Sequence, residues 1–108
     1  MEVVTVCRVV GFHRWESAPP RFQYLRDRHR HEFVIWAQKK VDHNDRDVEI
    51  NQLRESIEGW LHKDYGDPCE FGGMSCEDIA ELAAKGFGLS KCMVLEDGLA
   101  GAIYKEDK

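Results

Sequence analysis

The chain has 108 residues, a formal net charge of −5, 43% hydrophobic and 32% charged residues. That length allows one domain, residues 1–108, with a modest core, and the composition is that of a globular protein rather than a disordered one. The longest apolar runs are far too short to span a bilayer, and the acidic balance argues against nucleic acid, whose phosphates call for a basic face; neither is expected as a partner.

Residues 2–10 are β-branched and partly alternating, which predicts a strand. Residues 1–12 lack the basic and long apolar regions of an export signal, so a cytoplasmic location is expected. Gly11 and the Pro19-Pro20 pair break the pattern, and residues 14–28 read as a long polar loop, of a kind that is usually functional or mobile. Arg21, Arg26, Arg28 and Arg30 cluster in and beside it. A solvated face is the expectation, although a triphosphate-bearing small molecule would suit such a cluster.

Residues 33–40 predict a second strand with Phe33, Ile35 and Ala37 on one face. His29 and His31 stand just before it with the same parity, so both imidazoles project from that face. Two such rings can close on one metal ion, and His13, upstream in Gly11-Phe12-His13-Arg14-Trp15, supplies a third. A three-histidine metal centre with one open coordination position is expected, the arrangement of a catalytic zinc ion.

Residues 42–45 carry turn chemistry. Leu53, Ile57, Trp60 and Leu61 then recur at helical spacing, predicting an amphipathic helix from about residue 51 to 62. Residues 64–73, with Gly66, Pro68 and the Gly72-Gly73 pair, read as irregular. Ser75 followed by Glu77 and Asp78 marks a second helix start. That helix is predicted to turn Ile79, Leu82 and Ala83 inward and to stop near Gly86. Residues 91–95 and 100–105 predict two more strands joined through Glu96-Asp97-Gly98. The element order is ββααββ. The four cysteines, Cys7, Cys69, Cys76 and Cys92, form no tight pair. His62, Cys69 and Cys76 are spaced by seven, but structural zinc usually announces itself with close pairs, and buried reduced thiols are expected.

These segments together resemble the 6-pyruvoyl-tetrahydropterin synthase family, and within it the bacterial 6-carboxytetrahydropterin synthase branch, which makes a precursor of 7-deazaguanine compounds such as queuosine. Phe12-His13-Arg14-Trp15 is similar to the segment of the family's first zinc histidine. His29-Arg30-His31-Glu32-Phe33 resembles its His-Gly-His-aromatic motif. Residues 47–53 are similar to the start of its first helix, residues 74–80 to its Pro-Thr-x-Glu-x-x-Ala helix start, and residues 93–104 to its C-terminal hairpin. The resemblance implies an α+β T-fold (tunnelling fold): a four-stranded antiparallel sheet with two helices on one face, oligomerising into a barrel as a trimer or hexamer with sites between subunits. It implies a zinc cofactor on His13, His29 and His31. It further implies that Glu96 anchors a pterin or purine ligand, since a carboxylate accepts two parallel N–H donors from an amino-pyrimidine edge.

The departures are equally specific. The family's catalytic cysteine falls on Leu25, and Arg30 replaces the glycine between the zinc histidines. The Asp-His dyad after the first helix falls near Leu61-His62-Lys63-Asp64. With Leu25 in place of the thiol, base duty passes to His62, helped by Asp64. The implied activity is that of a zinc lyase on dihydroneopterin triphosphate; the alternative is a module that binds a pterin, guanine or nucleotide without turnover.

Overall fold

The computed structural model describes residues 1–107. Two long strands, β1 (Glu2–His13) and β2 (His29–Lys40), run antiparallel over their whole length, from Glu2 opposite Lys40 to His13 opposite His29. Their connection, residues 14–28, is not a bare loop: it holds a short 3₁₀ helix, Pro20–Leu25, and is tied across its base by the Trp15 amide donating to the Leu25 carbonyl at 2.7 Å.

Helix α1 (Ile50–Tyr65) begins where the Glu49 carboxylate accepts from the Asn51 and Gln52 amides, satisfying donors that the first turn leaves unpaired. Helix α2 (Cys76–Phe87) starts with a capping box in which Ser75 and Asp78 exchange side-chain to backbone hydrogen bonds. It ends at Gly88, whose φ of 63° lies in the left-handed region that glycine enters without a Cβ penalty.

Strands β4 (Lys91–Glu96) and β5 (Ala100–Lys105) form the expected C-terminal hairpin. The sheet has five strands rather than four. Cys69–Gly72, inside the segment expected to be irregular, is a short strand, β3, that pairs in parallel with the end of β1, giving the order β3-β1-β2-β4-β5. An all-antiparallel four-stranded sheet is therefore corrected to an α+β fold with one parallel edge strand. The cause is local burial: Cys69 and Phe71 point into the core while Glu70 and Gly72 face out, a two-residue period only four residues long.

Both helices contribute to one buried cluster with the sheet. Leu53, Ile57 and Leu61 of α1, and Ile79, Ala80, Ala83 and Ala84 of α2, meet Cys7, Val9, Phe33, Ile35, Ala37, Cys92 and Val94. Leu82 is on the wrong side of α2 for this and is 46% exposed, because the small residues Ala80, Ala83 and Ala84 take the sheet-facing stripe. The opposite sheet face has no helix over it. Across it the register aligns Val6, Trp36, Met93 and Ile103 in one row, with Trp36 and Ile103 exposed. No described helix is long and apolar enough to cross a membrane.

Candidate metal centre

The β1–β2 register puts His13 opposite His29 and Gly11 opposite His31, at one end of the sheet beside the start of α2. All three side chains leave the core-facing side, continuing the line of Phe33 and Ile35. Phe33, fully buried, forms the floor: the rings of His13 and His31 stand edge-on to it at 5.2 and 5.8 Å. Gly11 is required beneath them, since a Cβ there would lie 2.6 Å from the Phe71 ring. The imidazole centroids are 4.6 Å (His13–His29), 5.0 Å (His29–His31) and 5.4 Å (His13–His31) apart.

One nitrogen from each ring lies within 4.8 Å of those of the other two, and among the described residues this is the cluster able to hold a metal ion. The hydrogen bonds decide which nitrogen that is. His13 Nδ1 lies 2.9 Å from the Met74 carbonyl oxygen, His29 Nδ1 2.9 Å from that of Asp27, and His31 Nδ1 2.7 Å from Asp97 Oδ2. Carbonyls and carboxylates only accept, so each Nδ1 carries a proton, and in the neutral ring Nε2 is then the nitrogen with a lone pair for a metal. Second partners of this kind fix ring orientation in histidine metal sites. His31 Nε2 is buried with no hydrogen-bond partner. A buried polar atom left in this state is costly, and a metal ion would satisfy it. Three imidazole nitrogens suit zinc or another late first-row metal and not the oxygen-seeking calcium or magnesium.

Asp97 is held in turn. Its Oδ1 accepts from the Glu32 amide at 2.9 Å while Oδ2 takes the His31 proton, and these two bonds, the backbone one first, hold its carboxyl below the usual range.

Beside the histidines opens a cavity of about 530 Å³ lined by His13, His29, Trp15, Leu25, Cys76 and Glu96, among others. Glu96, at the end of β4 and opposite Phe33, reaches the cluster: Oε2 is 3.0 Å from His13 Nε2 and Oε1 3.5 Å from His31 Nε2. The expected anchor residue and the three expected ligands are thus brought together. Leu25 also lines the cavity, as an apolar wall. His62 and Asp64 do not line it. They lie at the C-terminal end of α1, where His62 Nε2 is 3.7 Å from Asp67 Oδ1.

Sequence reasoning missed Cys76. As the first residue of α2 it enters the cavity wall and places Sγ 3.6 Å from Glu96 Oε2. Burial first, and then the Glu96 carboxylate, push this thiol up to about 12. All four cysteines are free and buried, as expected.

Neither protein-family models nor curated protein sequences match this chain.

Proposed function

We propose that this chain is a zinc-dependent lyase of the 6-pyruvoyl- or 6-carboxy-tetrahydropterin synthase type, built on a T-fold and acting on dihydroneopterin triphosphate in pterin or 7-deazaguanine (queuosine) biosynthesis. The observation that carries this reading is the convergence of three imidazoles, each with its Nδ1 held by an oxygen behind the ring, on the rim of a cavity that also holds Glu96. His13, His29 and His31 are the zinc ligands. When bound, the ion supplies Lewis acidity, making neighbouring C–H and O–H bonds of a substrate side chain easier to deprotonate. Glu96 accepts the paired N–H donors of the amino-pyrimidine edge. Trp15 and Leu25 supply apolar wall for a flat heterocycle.

His62 and Asp64 move protons in this reading, and because they lie outside the cavity of their own chain they serve the site of a neighbouring copy. Association as a trimer or hexamer with sites between subunits is supported by the apolar row Val6, Trp36, Met93 and Ile103 on the uncovered sheet face.

One observation favours the second reading, binding without turnover. Leu25, in the cavity wall, carries no proton-transfer group where the family places its thiol. Losing a general base costs on the order of 10²–10⁴ in rate while binding survives. Incubation of the zinc-loaded protein with dihydroneopterin triphosphate, followed by mass analysis, separates the two. A product lacking triphosphate establishes the lyase; unchanged substrate with measurable binding establishes the module.

A further inference from the structure

We propose that Glu96 is itself a ligand to the cation held by His13, His29 and His31, closing the fourth position until a ligand draws the carboxylate away. The proposal rests on the metal reading above and adds to it the state of the site when no substrate is present.

His13 Nδ1 and His31 Nδ1 each face an oxygen that can only accept, so both protons sit on the Nδ1 side. In their neutral form the Nε2 atoms that face Glu96 present lone pairs to a carboxylate, which also has only lone pairs to offer. Contacts of 3.0 and 3.5 Å between such groups are repulsive unless something positive lies among them. One extra proton could bridge His13 and Glu96. It would leave His31 Nε2 still buried and without a hydrogen bond, and would do nothing for His29, whose ring belongs to the same group. A single divalent cation satisfies all of these atoms together.

The lengths agree with that assignment. For a tetrahedral ion with ligand bonds of about 2.0–2.1 Å, neighbouring ligand atoms are separated by about 3.3 Å. The Glu96 Oε2 to His13 Nε2 separation, 3.0 Å, is close to this value, and the three imidazole nitrogens, within 4.8 Å of one another, draw in to hold the same ion. Cys76 adds a hold on the carboxylate, its Sγ donating to Oε2 at 3.6 Å.

Glu96 has one carboxylate, and it cannot grip the ion and receive an amino-pyrimidine edge in the same pose. A ligand bearing that edge must take Glu96 from the ion, so its arrival opens a coordination position that is shut in its absence. Selectivity for guanidine-like edges and access to the ion are then one event.

The test uses the full chain, stripped of metal and loaded with Co²⁺ in the absence of any pterin. The unmutated chain should bind about one Co²⁺ and show the visible absorption of a four-coordinate ion. Glu96→Gln should shift that spectrum and weaken Co²⁺ by ~10–100-fold or more, since losing a direct ligand costs no less than losing an outer partner. Circular dichroism checks that the variant folds. Zinc-edge X-ray absorption of the unmutated chain reloaded with Zn²⁺ needs no variant and should show a carboxylate carbon behind one bound oxygen. An unchanged spectrum and affinity in Glu96→Gln, or three imidazoles with water alone at the zinc edge, would overturn the Glu96 assignment and leave the three-histidine centre intact. Failure of the unmutated chain to bind Co²⁺ would instead remove the metal reading and this inference with it.

Discussion

His13 and His29 face each other across the β1–β2 ladder as the last residue pair of that register, with ring centroids 4.6 Å apart. The pairing brings two residues separated by the whole 14–28 connection to one point, and His31, one pleat further in, joins them. Because strand side chains alternate, a register slip of one residue would turn the histidines of one strand to the opposite face and dissolve the cluster. The site is therefore as specific as the register, and the register is set by the buried faces of Cys7, Val9, Phe33 and Ile35.

The first prediction concerns the ion itself. Protein purified without a histidine tag should carry about one zinc per chain, and His29→Ala should lose it while keeping its fold, since His29 lies at the strand end outside the buried core. Elemental analysis alongside circular dichroism reads both. Retention of stoichiometric zinc in His29→Ala would exclude the assigned ligand set.

Asp97 gives a second prediction, one that separates orientation from ligation. Its carboxylate takes the His31 Nδ1 proton at 2.7 Å and is fixed by the Glu32 amide. Asp97→Asn keeps the size, but its amide offers a weaker acceptor or, turned over, a donor facing a donor. Metal affinity should fall by ~10–100-fold with stoichiometry unchanged at saturating zinc. A chelator competition titration measures this. An affinity equal to that of the unmutated chain would mean that Asp97 only shapes the turn.

How much of this could be read along the chain differs from element to element. The parity of His29, His31, Phe33 and Ile35 is a local property of a strand, and His13 follows from its place at the end of another. The partners behind the rings have no such signature. Met74, Asp27 and Asp97 meet the histidines only because the sheet register and the start of α2 bring them there, and two of the three contribute backbone oxygens, which every residue type has. Cys76 is hidden for the same reason: twenty residues separate it from Glu96, and only the docking of α2 against β4 closes that gap. Strand β3 escaped because four residues between Pro68 and Gly73 give too short an alternation to stand out from a turn.

Leu82 tests the corrected phase of α2 directly. Ile79 is fully buried on this helix and Leu82 is 46% exposed, although their apolar bulk is similar. Ile79→Ala should destabilise the fold by ~2–5 kcal/mol, from lost burial and the cavity left behind. Leu82→Ala should change stability by no more than about 0.5 kcal/mol. Urea unfolding of both variants decides it, and equal losses would restore the inward placement of Leu82.

The thiols supply the pH dependence. Burial pushes Cys7 and Cys92 to about 12 and Cys69 to about 11, from an ordinary value of 9.0. The folded chain therefore keeps these protons over a range in which the unfolded chain releases them. Their contribution to stability is complete below about pH 9 and is lost as pH rises through the folded values, because the unfolded state then binds fewer protons. The melting temperature should accordingly turn downward above pH 9, and Cys92→Ala should soften that slope, since the variant has one fewer thiol to keep protonated. At pH 8 the same shift leaves roughly 10³-fold less thiolate at Cys7 and Cys92 than in the unfolded chain, so alkylation of the native protein should be slow at both. Cys76 is buried and raised as far, but it also lines the open cavity, and on access alone it should react ahead of them. Mass analysis after timed exposure to iodoacetamide resolves the order. Fast labelling of Cys92 at pH 8 would show that the core opens far more readily than its complete burial between α2 and the sheet allows.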